Sequence, residues 1–275
     1  MYKRILTVQD ISCFGQCSLT VALPILSACG HETVILPSAV LSTHTMGFTD
    51  FTVRDLTDDI PAIAAHWKKE GISFDAVYTG YLGSAKQIEY VKNIMDTLLR
   101  DGALRIVDPA MADMGKLYPA FDMGYVNEMK KLCAVADIVL PNITEACFLT
   151  GTPYREAYDQ VYIEDLVAKL KGLGAKTVVL TGVGYRPGCT GVVVSGSEST
   201  DYYEHRKIAQ GCHGTGDVYA SAFTGALFQG HSAFDSARIA ADYVVRCIQV
   251  TQQDKDHTYG VEFERVLGDP IKEVF

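Results

Sequence analysis

The 275-residue chain carries 24 Lys and Arg against 33 Asp and Glu, a formal charge of −9, with 48% hydrophobic and 21% charged residues. This mix excludes a disordered chain, and the acidity gives no general attraction to nucleic acid or to an anionic membrane surface. The length suits one large domain or two small ones and supports a core that needs neither disulfides nor a structural metal. Residues 5–8 read as a first strand, and 18–28 as a helix stopped by Gly30. Residues 33–36 form a second strand closed by Pro37, and 58–69 a helix with Pro61 near its start and Gly71 beyond its end. A strand at 76–79 opens into Gly80, and 85–99 is a long amphipathic helix. Short apolar runs at 104–107, 138–140 and 177–180 have the pattern of parallel strands covered on both faces. Residues 191–195, Gly196 and 199–205 read as a hairpin, followed by helices over 215–228 and 232–250.

This alternation predicts one α/β domain over residues 1–275, with three αβα layers, a mostly parallel central sheet and an antiparallel edge. No apolar run reaches the roughly 18 residues of a membrane span. Gln9-Asp10 ends the N-terminal run too early for a signal-peptide core, so a cytoplasmic protein is expected. Cys13, Cys17, Cys29, Cys133, Cys147, Cys189, Cys212 and Cys247 contain no C-x-x-C pair. Zinc and thioredoxin-like readings therefore fail, and most of these cysteines are expected to be small, buried and apolar.

In open parallel sheets, ligands bind at the carboxyl ends of the strands. That rule selects Gln9-Asp10, residues 37–49, Gly80-Tyr81, Asp108-Pro109, Pro141-Asn142 and Thr181-Gly182. The strongest local motif is Gly211-Cys212-His213-Gly214-Thr215-Gly216-Asp217, leading straight into a helix. Two glycines around Thr215 expose successive N–H groups at a helix N-terminus, where the dipole also favours an anion. Asp217 would face that anion. Like charges repel, so it makes sense there as a base for a hydroxyl attacking phosphorus, or else simply as a stabilising first-turn residue. There is no G-x-x-x-x-G-K-[ST], and Gly182-Val183-Gly184 lacks the third glycine of a dinucleotide fingerprint. Asn142 and Glu145 have the spacing of a capping box, the reading that spacing alone favours; the alternative is a pair at the edge of a magnesium-phosphate site.

Asn142-x-x-Glu145 after a strand, Asp108-Pro109, and Gly214-Thr215-Gly216-Asp217 opening a late helix resemble the ribokinase superfamily. Within it, Ser42-Thr43-His44-Thr45 and Thr79-Gly80-Tyr81-Leu82-Gly83-Ser84 resemble segments of the pyridoxal kinases, and the likeness spans residues 5 to about 229. The resemblance implies a ribokinase-like fold and transfer of phosphate from ATP to a vitamin B6 vitamer, with Mg2+ and in many members a monovalent cation such as K+. It also implies a homodimer. Asp217 is then the catalytic base, and Gly214, Thr215 and Gly216 hold the transferred group. Asn142, Thr181 and Asp113 border the nucleotide, Asp108 and Glu145 the metal, and Asp10, Thr45 and Tyr81 the pyridine ring. Residues 111–119 fall where members have a mobile flap over ATP.

Two positions depart from that pattern: Asp10 stands where pyridoxal kinases have a serine, and Leu140 where a threonine often helps to bind the monovalent cation. Hydroxymethylpyrimidine kinases also have an acid after the first strand. They usually follow it with Ser-Gly-Gly, absent here, and have Cys in place of Asp217. They are the same-class alternative, and a non-catalytic binder of pyridoxal phosphate or nucleotide is the other. His66-Trp67 is expected to anchor packing, Tyr2, Tyr202 and Tyr203 to cover sheet or a dimer contact, and His213 to touch phosphate or pack the loop.

Overall fold

Side chains alternate between the two faces of a strand, and in this chain the alternation feeds two separate cores. In a computed structural model describing residues 2–208 and 212–267, β1 (Arg4–Ser12) sends Leu6 and Val8 to one core and Ile5 to the other. In β9 (Thr177–Thr181), Val178 and Leu180 oppose Val179, and in β10 (Cys189–Ser195), Val193 opposes Val192 and Val194. Helices α2 (Ile60–Lys69), α3 (Ala85–Thr97), α4 (Met123–Cys133), α5 (Ile143–Thr150) and α6 (Gln160–Gly172) cover the first core. Helices α1 (Leu19–Ala28), α7 (Thr215–Gln229) and α8 (Ala233–Thr251) cover the second.

The remaining strands of the main sheet are β2 (Glu32–Leu41), β3 (Val53–Asp55), β4 (Phe74–Thr79), β5 (Leu99–Val107), β8 (Ile138–Val139) and β11 (Thr200–Arg206). They join in the order β11-β10-β9-β8-β5-β4-β1-β2-β3, with the six strands from β9 to β2 parallel. The expected hairpin, β10–β11, forms one antiparallel edge, and β3 adds a second that the sequence reading lacks. A small hairpin, β6 (Ala112–Asp113) and β7 (Lys116–Leu117), stands outside the sheet. The three-layer, mostly parallel architecture is as expected.

Several boundaries differ. Strand β2 runs through Pro37 to Leu41 rather than stopping there. Proline lacks an N–H, yet it is tolerated here because β3 pairs only from Ala39 onward and because Pro37 lies beside a shift of register between β1 and β2. That shift falls between Gln9 and Ile11, where Ser38 and Ala39 of β2 stand opposite Asp10 alone, so the extra residue lies in β2 across from the acid. Helix α3 ends at Thr97, and β5 begins at Leu99. Helices α4 and α6 supply crossovers that parallel strands require. Each opens on an aspartate cap, with Asp122 accepting the Tyr125 N–H and Asp159 the Tyr162 N–H, both at 2.9 Å.

The cysteines are less buried than expected. Cys29, Cys133, Cys147 and Cys247 are buried, Cys17, Cys189 and Cys212 half-buried, and Cys13 exposed, all as free thiols. Trp67 does anchor packing, edge-on to Phe74 at 5.4 Å, while His66 lies outside as an exposed partner of Glu70. Tyr202 and Tyr203 pack on opposite faces of the edge hairpin, and Tyr2 is exposed. No described helix is long and apolar enough to cross a membrane.

Candidate active site

The carboxyl ends of β1, β4, β5, β8 and β9 and the N-terminus of α7 form one rim. At its centre lies the loop before α7, of which Gly211 is outside the described residues. Gly214 caps α7 in the left-handed region (φ 78°). A Cβ there would stand 2.0 Å from the backbone oxygen of Gln16, so the position excludes any side chain on two counts. At Gly216 a Cβ would meet no atom of the described residues within 4 Å outside its own helical turn. The motif therefore has one glycine buttressed by the β1–α1 loop and one facing open space.

Asp217 lies in the first turn of α7, and its Oδ2 accepts the Ser18 N–H at 3.0 Å. Burial pushes its pKa up to about 7, against the Ser18 bond and with a further push from the Asp10 charge. Asp108 follows β5, and its carboxylate takes no hydrogen bond from any described residue. Burial raises its pKa well above the carboxylate range, and the charges of Glu145 and Asp217 add to the effect.

The capping box is real: Asn142 Oδ1 accepts the Glu145 N–H and Glu145 Oε2 the Asn142 N–H, both at 2.9 Å. It also does more than cap. Glu145 Oε1 accepts the Met111 N–H (3.1 Å), Asn142 Nδ2 donates to the Ala112 carbonyl (2.9 Å), and the Thr144 hydroxyl accepts the Gly115 N–H (3.0 Å). These bonds fasten the β6–β7 hairpin over the start of α5. Burial raises the Glu145 pKa although backbone N–H groups oppose the shift. Asp113, exposed on the hairpin, accepts its neighbour's N–H at 2.8 Å, and its charge is felt at Glu145. Thr181 ends β9 with its hydroxyl on the Pro141 carbonyl (3.3 Å), beside Asn142.

The opposite side of the rim holds the ring-site candidates. Asp10 is buried, which raises its pKa against the Ser18 and Ser12 hydroxyls; Ser12 donates at 3.0 Å. Tyr81 is half-buried with its ring 5.3 Å from that of Phe121, and burial together with the Asp10 charge raises its phenol pKa. His44 is buried: its Nδ1 accepts the Met46 N–H (3.2 Å) and its Nε2 donates to the Tyr259 carbonyl (2.7 Å). That pinned ring carries the exposed Thr45 beside it. His213 lies 5.9 Å from the His44 ring, which gives it a packing contact.

Sequence reasoning gave Ser18 no site role and quoted Thr43 and Thr79 only as parts of resembling segments. The hydroxyls of Thr43 and Thr79 are buried without a partner among the described residues. Ser18 acts partly through its backbone, which carries no residue-type signal. Leu140 is buried in the apolar core and offers no side-chain oxygen to a cation.

No described group of three or more His, Cys, Asp or Glu is placed to hold a metal ion. A divalent ion here would take most of its ligands from phosphate and water, as magnesium commonly does. Asp108, a buried carboxylate without a donor, fits one protein ligand, whereas both Glu145 oxygens already accept N–H groups.

The Asp217 pKa has a stability consequence. Because its folded value lies near 7, above the ordinary 3.8, its contribution is complete below about pH 4 and is lost as pH rises through 7. Without metal or nucleotide, the wild-type protein should lose on the order of 2–4 kcal/mol more than Asp217→Asn between pH 5 and 8. Urea denaturation at both pH values checks this, and equal pH dependence of the two proteins would refute the shift.

A sequence model described as phosphomethylpyrimidine kinase matches residues 26–261. A Bacteroides thetaiotaomicron structure assigned as a phosphomethylpyrimidine kinase, in a crystal form with pyridoxal, is 36% identical. The match covers 97% of this chain and 95% of that one, with a TM-score of 0.91. Pyridoxal kinase from Lactobacillus plantarum is 32% identical, covering 100% and 97%, with a TM-score of 0.89. The bifunctional thiamine biosynthesis protein of Geobacter sulfurreducens is 30% identical over 183 residues, 66% of this chain, which spans only 36% of that protein's length. With this ribokinase-like fold and a match over most of its length, the chain belongs to the phosphomethylpyrimidine kinase family.

Proposed function

We propose that the protein transfers the γ-phosphoryl group of MgATP to the 5′-hydroxyl of pyridoxal, pyridoxine or pyridoxamine. The observation that carries this reading is Asp217, a carboxylate buried in the first turn of α7 and pushed up to about 7. A general base works best with a pKa near the working pH. As the vitamer oxygen bonds to the γ-phosphorus, the bond to the bridging oxygen breaks, ADP leaves, and the hydroxyl proton passes to Asp217. The N–H groups of residues 214–217, at the positive end of α7, face the charge that develops on the transferred group.

Asn142, Thr181 and Asp113 border the nucleotide in this reading. Asp108 holds magnesium, with Glu145 acting through water; magnesium supplies neutralisation of triphosphate charge. Tyr81 lies against the ring, with Thr45 at its edge and Asp10 on a ring hydroxyl or protonated nitrogen. The Bacteroides relative's crystal form with pyridoxal supports this choice of substrate.

The second reading, a hydroxymethylpyrimidine kinase, is favoured by Asp10. A buried carboxylate suits the N–H donors of an aminopyrimidine where a serine offers only a neutral group. Asp217 weighs against it, because those enzymes resemble this chain but have Cys at that position. Asp217 also weighs against a non-catalytic binder.

Asp217→Asn should keep MgATP binding while lowering kcat by ~10²–10⁴; near wild-type turnover would show that Asp217 is not the base. Gly216→Val should lower kcat with little loss of Tm, since its Cβ meets only open space in the protein. Normal kcat would remove the anion-site role.

Tyr81→Ala should raise the vitamer KM about fivefold or more while leaving the MgATP KM nearly unchanged. Asp10→Ser should shift the ratio of pyridoxal to hydroxymethylpyrimidine turnover towards pyridoxal. Steady-state kinetics with both substrates decides between the two readings, and unchanged constants in both variants would place the ring elsewhere.

A further inference from the structure

Three non-glycine residues among those described have positive φ, and only Ser18, at 56°, is buried. Its ψ of −128° puts it in a region that L-residues seldom adopt. Such strain persists only where surrounding structure fixes it, and it concentrates at functional positions. Ser18 also stands at the N-cap of α1, where a serine hydroxyl ordinarily accepts a helix N–H. Here the hydroxyl makes no cap bond. Ser18 instead bridges to Ile11 next to Asp10, and its hydroxyl eases the ionisation of that acid, while the Ser18 N–H donates to Asp217 at 3.0 Å.

One residue thus bears on both buried carboxylates, the one assigned to the ring and the one assigned to the reacting hydroxyl. Turning the backbone to a helix-capping geometry would aim the N–H and the hydroxyl elsewhere and release both. The neighbouring loop is held to the same end: Gly214 abuts the Gln16 carbonyl, and a Cβ at Gly260 would stand 2.4 Å from Gln16 Oε1.

We propose that Ser18 is a positioning residue that fixes the ring-binding carboxylate of Asp10 relative to the phosphoryl-transfer carboxylate of Asp217. The inference rests on the roles proposed above for those two acids. The role given to Ser18 is exerted through the two acids. Its hydroxyl leaves Asp10 one lone pair fewer to satisfy and orients the remainder towards the ring. Its N–H fixes the rotamer of Asp217.

The test uses Ser18→Gly, which accepts the backbone conformation and keeps the N–H but loses the hydroxyl, and Ser18→Ala, which loses the hydroxyl and keeps the strain. In both, the vitamer KM should rise about tenfold while the MgATP KM stays within twofold. Ser18→Gly should melt at or above the wild-type Tm, and Ser18→Ala should melt below Ser18→Gly. In a double-mutant cycle, Ser18→Gly should add little to the vitamer KM of Asp10→Asn, yet act additively with Tyr81→Ala.

An unchanged vitamer KM in a wild-type enzyme that phosphorylates vitamers would overturn the role of Ser18 and leave the proposed activity standing. A lower Tm for Ser18→Gly, with vitamer and MgATP KM rising together, would also overturn it, since Ser18 would then only support the fold. If the wild-type protein phosphorylates no vitamer and no hydroxymethylpyrimidine, the proposed activity fails. The pairing of Ser18 with Asp10 would then be read from additivity in Tm, where additive shifts overturn it.

Discussion

A carboxylate removed from water is costly unless hydrogen bonds and dipoles replace its hydration, and Asp217 meets that constraint at the N-terminus of α7. The orphan N–H groups of the helix and the Ser18 N–H oppose the desolvation without cancelling it, which leaves the pKa near 7. The balance depends on close approach of backbone: Gly214 against Gln16 sets where α7 begins relative to the β1–α1 loop. Farther along α7, Gly225 admits Cys29 of the α1 C-terminus, where a Cβ would lie 2.4 Å from the sulfur. The packing of α1 on α7 and the electrostatics of Asp217 are therefore the same arrangement seen at two depths.

The acids divide into two groups around Asp217. Asp108 and Glu145 lie on the β5–β8 side, where the Glu145 charge raises the cost of ionising Asp108 and the Asp113 charge that of Glu145, so a cation is the natural partner of that side. Asp10 lies on the β1 side and is satisfied by hydroxyls, an arrangement suited to a ring donor. The hairpin fastened by Asn142, Thr144 and Glu145 stands over the first group, and the pinned His44 over the second. In the proposed reading, phosphate chemistry and ring recognition fall to different strand ends, and the β1–α1 loop reaches both.

The layers and most strands were legible in the sequence because β-branched runs record burial on both faces. The glycine motif before α7 was equally legible, since glycine reports close backbone approach. The register shift opposite Asp10 was not, because it follows from the pairing of β1 with β2 rather than from residue type. Strand β3 is exposed along its length and carries no apolar alternation, and β6–β7 is too short to have a period. Helices α4 and α6 did carry a helical period, in Val126, Met129 and Cys133 and in Ile163, Leu166, Val167 and Leu170, behind the Asp122 and Asp159 caps, and a reading led by β-branched runs passed over them. The contacts of Ser18 lie beyond sequence reasoning for a plainer cause: a serine before a helix predicts a cap, and this one is turned away from that use.

The most direct test of the central claim identifies the product. Purified protein with MgATP and each of pyridoxal, pyridoxine, pyridoxamine and hydroxymethylpyrimidine would be followed by phosphorus NMR, with proton coupling used to locate the new ester. The account predicts ADP together with a phosphomonoester coupled to the 5′-methylene protons of a B6 vitamer. Inorganic phosphate as the only new species, or an ester formed on hydroxymethylpyrimidine alone, would contradict it.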